Sequence, residues 1–194
     1  MERGADKDTQ MRELADLASG CTRCGLSNTR TQVVFGQGRA DAGVVFVGEG
    51  PGAEEDRQGQ PFVGAAGRLL NTLLEEISLD RAEVYITSIV KCRPPGNRDP
   101  QPNEIEACHE YLVAQIAVMQ PLVVCTLGRW AARTLLGRPD FKISREHGRT
   151  VRWNGMMVMP VFHPAAVLHQ ARFMEPLRED FRLLEQLLKS NHLL

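Results

Sequence analysis

GVVFVG, residues 43–48, is the first of four short apolar stretches that decide the fold of this chain. The others are EVYITSIV (83–90), PLVVCTL (121–127) and MMVMPVF (156–162). Valine and isoleucine are frequent in all of these stretches except the last, which is rich in methionine. Short continuous apolar runs of this kind predict β-strands that are buried on both faces.

Helical patterns lie between the predicted strands. The spacing of apolar residues over 64–77 predicts an amphipathic helix. Asn103 and Glu106 have the spacing of a capping box, which predicts a helix that continues to about Met119. Further helices are expected over 8–19, over 128–136 and from Pro176 toward the C-terminus.

Strands that alternate with helices predict an α/β fold in one domain spanning 1–194. We expect a three-layer α/β/α sandwich around a four-stranded parallel sheet. In such sheets ligands bind just beyond the carboxyl ends of the strands. The segments after residues 47, 87, 127 and 162 are therefore predicted to meet at one rim.

The composition excludes some classes of protein. Of 194 residues, 43% are hydrophobic and 24% are charged, as in globular proteins, and the net charge of −1 indicates no general attraction to polyanions. No apolar run reaches the roughly 18 residues of a membrane span, and the N-terminus lacks a signal-peptide pattern. We therefore expect a cytoplasmic protein without membrane contact.

Basic residues are nevertheless concentrated in two stretches. One contains Lys91, Arg93 and Arg98, and the other contains Lys142, Arg145, Arg149 and Arg152. Local patches of this kind can contact phosphates on a neutral protein. Solvated loops without a ligand explain the same charge pattern equally well.

Four of the five cysteines have a spacing that indicates a metal centre. Cys21 and Cys24 form a C-x-x-C pair, Cys92 follows a predicted strand, and Cys108 lies early in the next helix. Four thiolates suit either zinc or a 4Fe–4S cluster, and spacing does not decide between them. Unlinked thiols are the alternative, whereas a redox-active pair would leave two cysteines unexplained. Cys125 lies within a predicted strand and is expected in the core.

Two motifs at the predicted rim contain groups capable of chemistry. The first strand continues into GEGPG (48–52), in which Glu49 is a candidate for positioning or activating water. The last strand ends at His163, which can donate a hydrogen bond to charge that develops on a substrate. The alternatives are a plain β–α turn and a structural histidine. The other histidines, which show no spacing that indicates chemistry, are His109, His147, His169 and His192.

In this order, the motifs closely resemble those of the family 4 uracil-DNA glycosylases, the iron–sulfur members of their superfamily. The matching stretches are the C-x-x-C pair, GEGPG, PFVG (61–64), ITSIVKCRPPGNR (86–98) and FHPAAVL (162–168). The resemblance runs from residue 21 to the C-terminal helix. It implies an α/β/α sandwich and an enzyme that flips uracil out of DNA and hydrolyses its N-glycosidic bond, leaving an abasic site. The expected partner is uracil-containing DNA, single- or double-stranded, and a monomer is expected.

The resemblance also implies roles for residues. Phe62 matches the aromatic residue that stacks on uracil, and His163 matches the donor to uracil O2. Glu49, Gly50 and Pro51 match positions that line the base and hold the attacking water. Because many superfamily members have an aspartate where this chain has Gly50, Glu49 is the candidate base or cation stabiliser. The four residues implied as 4Fe–4S ligands are Cys21, Cys24, Cys92 and Cys108.

Other positions concern recognition of the base and contacts with DNA. Ser88 stands where several relatives use an asparagine to recognise uracil, which leaves room for excision of another deaminated base such as hypoxanthine. Val167 and Leu168 match a loop that wedges into the gap left by the flipped base. The predicted phosphate contacts are Arg93, Arg98, Arg145 and Arg149.

Two alternative functions belong to other classes of protein. A related uracil-DNA binding protein traps the sugar with a histidine in a basic loop, but this chain has no histidine in residues 92–98, which favours turnover. An iron–sulfur electron carrier or redox sensor would leave the GEGPG and HPAAVL motifs without a purpose.

Overall fold

A six-stranded sheet forms the centre of the protein in this computed structural model, which describes residues 2–193 and the side chains of residues 6–193. The strands are β1 (Gln37–Gly38), β2 (Val44–Gly48), β3 (Tyr85–Ser88), β4 (Val123–Leu127), β5 (Val151–Trp153) and β6 (Met156–Val161). Their order across the sheet is β1-β3-β2-β4-β6-β5. The four central strands are parallel and coincide with the four predicted ones.

The predicted strand count of four was wrong, because an antiparallel strand is added at each edge. β1 has two exposed residues, too few for any apolar pattern, and pairs with β3. β5 pairs with β6 through a hairpin at Asn154 and Gly155, both at positive φ (47° and 81°). Asn-Gly is the strongest sequence signal for such a turn, so this hairpin was open to prediction from the sequence.

Helices cover both faces of the sheet, which confirms the α/β/α sandwich. They are α1 (Glu2–Ser19), α2 (Ala53–Gln58), α3 (Ala65–Glu76), α4 (Pro102–Met119), α5 (Arg129–Leu136), α6 (Ile143–Glu146), α7 (Pro164–His169) and α8 (Met174–Ser190). Buried residues of α1, α4 and α5 pack on the face that contains Val45 and Val47. Those of α3, α7 and α8 pack on the opposite face, with Val44 and Phe46. None of the helices within residues 2–193 is long and apolar enough to cross a membrane.

The start of α4 differs from the prediction. Pro102 is its first residue and Gln101 is the N-cap, so the capping glutamate is Glu104 rather than Glu106. The Glu104 carboxylate accepts a hydrogen bond from the Gln101 N–H at 2.8 Å. An N–H at the first helical position has no partner within the helix, so proline loses no hydrogen bond there. This preference places Pro102 first in α4 and makes Gln101 the N-cap.

Candidate active site

A small cavity lies at the carboxyl ends of the parallel strands. Gly48 and Ser88 are paired in register at the ends of β2 and β3, and His163 follows β6. The cavity, of about 120 Å³, is lined by Val34, Gly50, Pro51, Gly52, Glu55, Pro61, Phe62, Ala66, Ser88 and His163. It is smaller than the roughly 300–1,000 Å³ of pockets for drug-sized ligands, and its size suits one small ring.

Most of the residues predicted to bind the base meet in this cavity. Gly50, Pro51, Phe62, Ser88 and His163 all line it. The rings of Phe62 and His163 are stacked, with centroids 5.7 Å apart and an angle of 28° between their planes. A flat ligand held here therefore contacts an aromatic face and an imidazole together.

Phe62 has a strained backbone that its surroundings hold in place. Its φ of +53° lies in the left-handed region, which non-glycine residues rarely adopt. A Cβ at Gly67 would collide with the Phe62 carbonyl, and a Cβ at Gly48 would lie 2.7 Å from the Phe62 ring. Both glycines are thus required for the close packing of Phe62. Such strain is typical of functional sites.

Glu55 joins the two loops that form the cavity, and it was not among the predicted site residues. Its Oε1 accepts hydrogen bonds from the N–H groups of Val63 (2.9 Å) and Gly64 (2.8 Å). Its Oε2 accepts from the Gly52 N–H at 3.1 Å. Glu55 lies three residues after Gly52, the N-cap of α2, and this capping-box spacing was the available signal.

His163 is held as a neutral hydrogen-bond donor. Its Nδ1 accepts a hydrogen bond from the Ala165 N–H at 3.1 Å, so the proton of the neutral ring is on Nε2. Burial lowers the pKa of His163 to about 4, with a smaller opposing effect from Glu55. At neutral pH the imidazole therefore presents an N–H without a positive charge.

Glu49 does not line the cavity but precedes Gly50, which does. Burial, followed by the nearby Asp99 carboxylate, raises the pKa of Glu49 to about 7, while Arg129 opposes this shift. Arg129 and Asp99 form an exposed ion pair of 2.9 Å. Glu49 is thus a carboxyl group that exchanges a proton near neutral pH, as a general base requires.

The cysteines predicted to bind metal lie around one apolar cavity. Cys21, Cys24, Cys92 and Cys108 line it, with Leu26, Val33 and Tyr111 among the other residues. None of the four is in a disulfide. Cys125 is fully buried in β4, as predicted.

Two hydrogen-bond donors point at the sulfur atoms of this cavity. The Lys91 N–H donates to Cys108 Sγ at 3.3 Å, and Arg30 Nη1 donates to Cys92 Sγ at 3.3 Å. Among the described side chains, no three potential ligands converge closely enough for a single metal ion. A multi-iron cluster instead distributes its thiolate ligands over different iron atoms. By their chemistry, four cysteine sulfurs with hydrogen bonds to two of them are donors that such a cluster can use.

Lys91 connects the cysteine cavity to the base cavity and is not a phosphate contact. It is 2% exposed. Its Nζ donates to Thr87 Oγ1 (2.6 Å), the Ser88 carbonyl (2.8 Å) and Gln115 Oε1 (2.6 Å). The interpretation of Lys91 as part of a surface basic patch was wrong, since its charge is enclosed by the core.

The predicted DNA contacts differ in their surroundings. Val167 is 6% exposed and packs in the core, whereas Leu168 is 53% exposed, so only Leu168 is placed to wedge into DNA. Both lie in helix α7 rather than in a loop. Arg98 donates two hydrogen bonds to the Glu104 carboxylate, at 2.9 and 2.7 Å. Its guanidinium group is therefore already paired and is a poorer candidate for a phosphate contact.

The other arginines predicted to contact DNA phosphates are more available for that contact than Arg98. Arg93 is half-buried and donates to Asn97 Oδ1 at 2.8 Å. Arg145 and Arg149 are exposed and lie in and just after α6. These two are therefore the predicted phosphate contacts that the surface geometry favours.

Comparison with known proteins places the chain in a family. The family model described as the uracil DNA glycosylase superfamily matches residues 35–185. A type-4 uracil-DNA glycosylase of Archaeoglobus fulgidus is 45% identical over 174 residues, covering 86% of this chain and 87% of that protein. The type-4 enzyme of Thermotoga maritima is 44% identical, covering 84% and 85%. A type-5 enzyme of Thermus thermophilus is 34% identical but covers only 53% of each chain.

The chain therefore belongs to the uracil DNA glycosylase superfamily. Within that superfamily it groups with the type-4 enzymes, because the matches to them extend over most of both chains.

Glu55→Gln should lower the free energy of unfolding by about 1–3 kcal/mol, since the new amide NH₂ group must face at least one backbone N–H donor. Urea unfolding measures this change. Glu54→Gln is the matched control, because Glu54 is exposed in an ion pair with Arg57 and its loss should cost about 0.5 kcal/mol or less. Equal effects of the two substitutions would show that the hydrogen bonds of Glu55 do not stabilise the loops.

Proposed function

We infer that the protein is a uracil-DNA glycosylase, which hydrolyses the bond between uracil and deoxyribose and leaves an abasic site in DNA. The observation that carries this inference is the small cavity in which Phe62 and His163 face one another. Membership of the superfamily supports the substrate class.

Binding begins with extrusion of the nucleotide, which costs a few kcal/mol in lost pairing and stacking. Phe62 offers a buried aromatic face, and stacking on such a face is worth roughly 1–3 kcal/mol per base. Ser88 and the backbone of Gly50 and Pro51 line the same cavity and offer polar groups to the edge of the base. The cavity therefore offsets much of the extrusion cost for a single pyrimidine.

Bond cleavage leaves negative charge on uracil O2 and positive charge on the sugar. The Nε2–H of His163 is the donor that faces the developing anion. Because the ring is neutral before reaction, its hydrogen bond strengthens as charge appears on the leaving group.

Glu49 is the proposed water activator or cation stabiliser. An aspartate at position 50 is not a simple alternative here, because a Cβ at Gly50 would lie 2.7 Å from Val90 Cγ2. The loop thus favours glycine at this position for steric reasons. That leaves Glu49, whose pKa of about 7 allows it to take a proton from water.

The four cysteines Cys21, Cys24, Cys92 and Cys108 are proposed to hold a 4Fe–4S cluster. When bound, the cluster would tie the segment after α1 to the loop after β3 and to α4, a structural contribution. The type-4 relatives and the hydrogen bonds to Cys92 and Cys108 support this assignment.

DNA is proposed to lie across the rim, with Leu168 filling the space of the extruded base. Arg145 and Arg149 would contact phosphates on one side of it. Their contribution to binding should weaken with salt, as is general for phosphate contacts.

Incubation of the protein with a uracil-containing oligonucleotide, followed by alkali, should produce strand breaks at uracil. His163→Ala should slow excision by about 10²–10³-fold, because the leaving anion loses its donor. His192→Ala, an exposed histidine near the C-terminus, is the control and should leave the rate unchanged.

Oligonucleotides with hypoxanthine or xanthine test whether Ser88 permits other deaminated bases. No breakage at uracil would refute the proposed function, and a stable protein–DNA adduct would favour a trapping protein.

The excision rate should rise with pH and level off above about 7, since Glu49 accepts a proton only after losing its own. His163 adds no inflection in this range because it stays neutral above a pKa of about 4. Single-turnover rates from pH 5.5 to 9 measure the profile. Glu49→Gln should be slow and lack the inflection near 7; an unchanged inflection would assign it to another group.

Purified protein should be brown, with broad visible absorption that oxidants bleach. Cys108→Ser should lose this absorption together with iron content, because serine is a poorer ligand for iron than thiolate. Cys125→Ala is the matched control and should keep both, since Cys125 lies in the core of β4. A colourless wild-type protein containing zinc would contradict the cluster assignment.

A further inference from the structure

A buried histidine–aspartate pair lies behind the loop that carries His163. His147 Nδ1 and Asp180 Oδ1 are 2.6 Å apart, and Asp180 is 1% exposed. The other carboxylate oxygen, Asp180 Oδ2, accepts a hydrogen bond from the Phe162 N–H at 3.2 Å. The pair therefore reaches the residue immediately before His163.

Packing reinforces these hydrogen bonds. The His147 and Phe162 rings have centroids 4.4 Å apart, and Phe162 packs in turn on Phe173 at 5.0 Å. The Gly148 N–H donates to the Pro160 carbonyl at 2.7 Å. The segment after α6, the Phe173 ring and Asp180 of α8 thus hold residues 160–162 at the end of β6.

Gly148 is needed for this arrangement. Its φ is +71°, and a Cβ there would lie 2.8 Å from Asp180 Oδ1. The chain after α6 therefore lies so close to the Asp180 carboxylate that only glycine fits at position 148. A buried carboxylate is costly unless it is hydrogen-bonded, and here His147 and the Phe162 N–H supply the partners.

We propose that His147 and Asp180 are positioning residues that hold the Phe162–His163 backbone so that the His163 imidazole faces the base cavity. The hydrogen bond from Ala165 sets the rotation of the imidazole, whereas the pair sets the position of the backbone that carries it. This proposal rests on the proposed function, since it concerns the donor for the leaving base.

His147→Phe tests the proposal, because phenylalanine keeps a ring against Phe162 but has no donor for Asp180. Single-turnover excision should fall about tenfold in the maximal rate, with the half-saturating DNA concentration changed less than about twofold, as expected when a reacting group is misplaced. His147→Asn should recover most of the rate, because its amide nitrogen can take the place of Nδ1. Glu179→Gln, a change in an exposed ion pair next to Asp180, should have no effect.

A double mutant separates positioning from general destabilisation. In protein that already carries His163→Ala, the His147→Phe change should cause no further loss of rate, since its effect acts through the missing imidazole. Thermal unfolding establishes that the variants are folded at the assay temperature. Additive losses, or a normal maximal rate in folded His147→Phe, would overturn the proposal.

A spectroscopic measurement keeps this test independent of the glycosylase assignment. In protein with ¹⁵N-labelled histidine, the His163 ring signals should shift in His147→Phe and return toward the wild-type position in His147→Asn. Unchanged His163 signals would overturn the positioning role even if uracil excision is confirmed. Shifted signals in a protein that does not excise uracil would support positioning and refute only the proposed function.

Discussion

The parallel pairing of the four central strands is the constraint on which the site depends. Register between β2 and β3 places Gly48 beside Ser88, and the Gly128 N–H donates to the Val161 carbonyl at 2.9 Å, which keeps the end of β4 level with the end of β6. The chain runs from β4 into α5 through Gly128 alone and from β6 into α7 through Phe162 and His163, so these residues have little freedom. Residues far apart in the chain consequently form one cavity at the carboxyl ends of the strands.

Burial has opposite consequences for the pKa values of His163, which lines the cavity, and of Glu49, which lies just outside it. Loss of water disfavours the charged form of any group, which lowers the pKa of His163 and raises that of Glu49. The same dry environment thus keeps the imidazole neutral as a donor and leaves the carboxyl group with a pKa of about 7. Strain at Phe62 is the accompanying cost, and the hydrogen bonds of Glu55 to the neighbouring loop offset it.

Short-range patterns predicted the central strands, from their apolar runs, and His163, from its place directly after the last strand. The other base-binding residues of the cavity, such as Phe62 and Ser88, were implied only by the family resemblance. The sequence did not predict what only the folded chain brings together. His147 and Asp180 are 33 residues apart, and no local pattern indicates that they meet. Lys91 lies in a basic stretch of sequence, yet the turn after β3 directs its side chain inward. The edge strand β1 was missed because two residues carry too little pattern, whereas β5 was missed although Asn154 and Gly155 mark its turn.

Glu49 in the GEGPG loop and Glu55 in α2 show that lining a cavity does not by itself make a glutamate a general base. Glu55 lines the cavity, but both of its oxygens accept hydrogen bonds from backbone N–H groups and are already used in contacts that join two loops. Glu49 lies just outside, where burial and then the nearby Asp99 carboxylate raise its pKa to about 7 against the opposing effect of Arg129. Glu55, whose oxygens accept backbone hydrogen bonds, is therefore suited to holding the cavity loops together. Glu49, with a pKa of about 7, is suited to exchanging a proton with water.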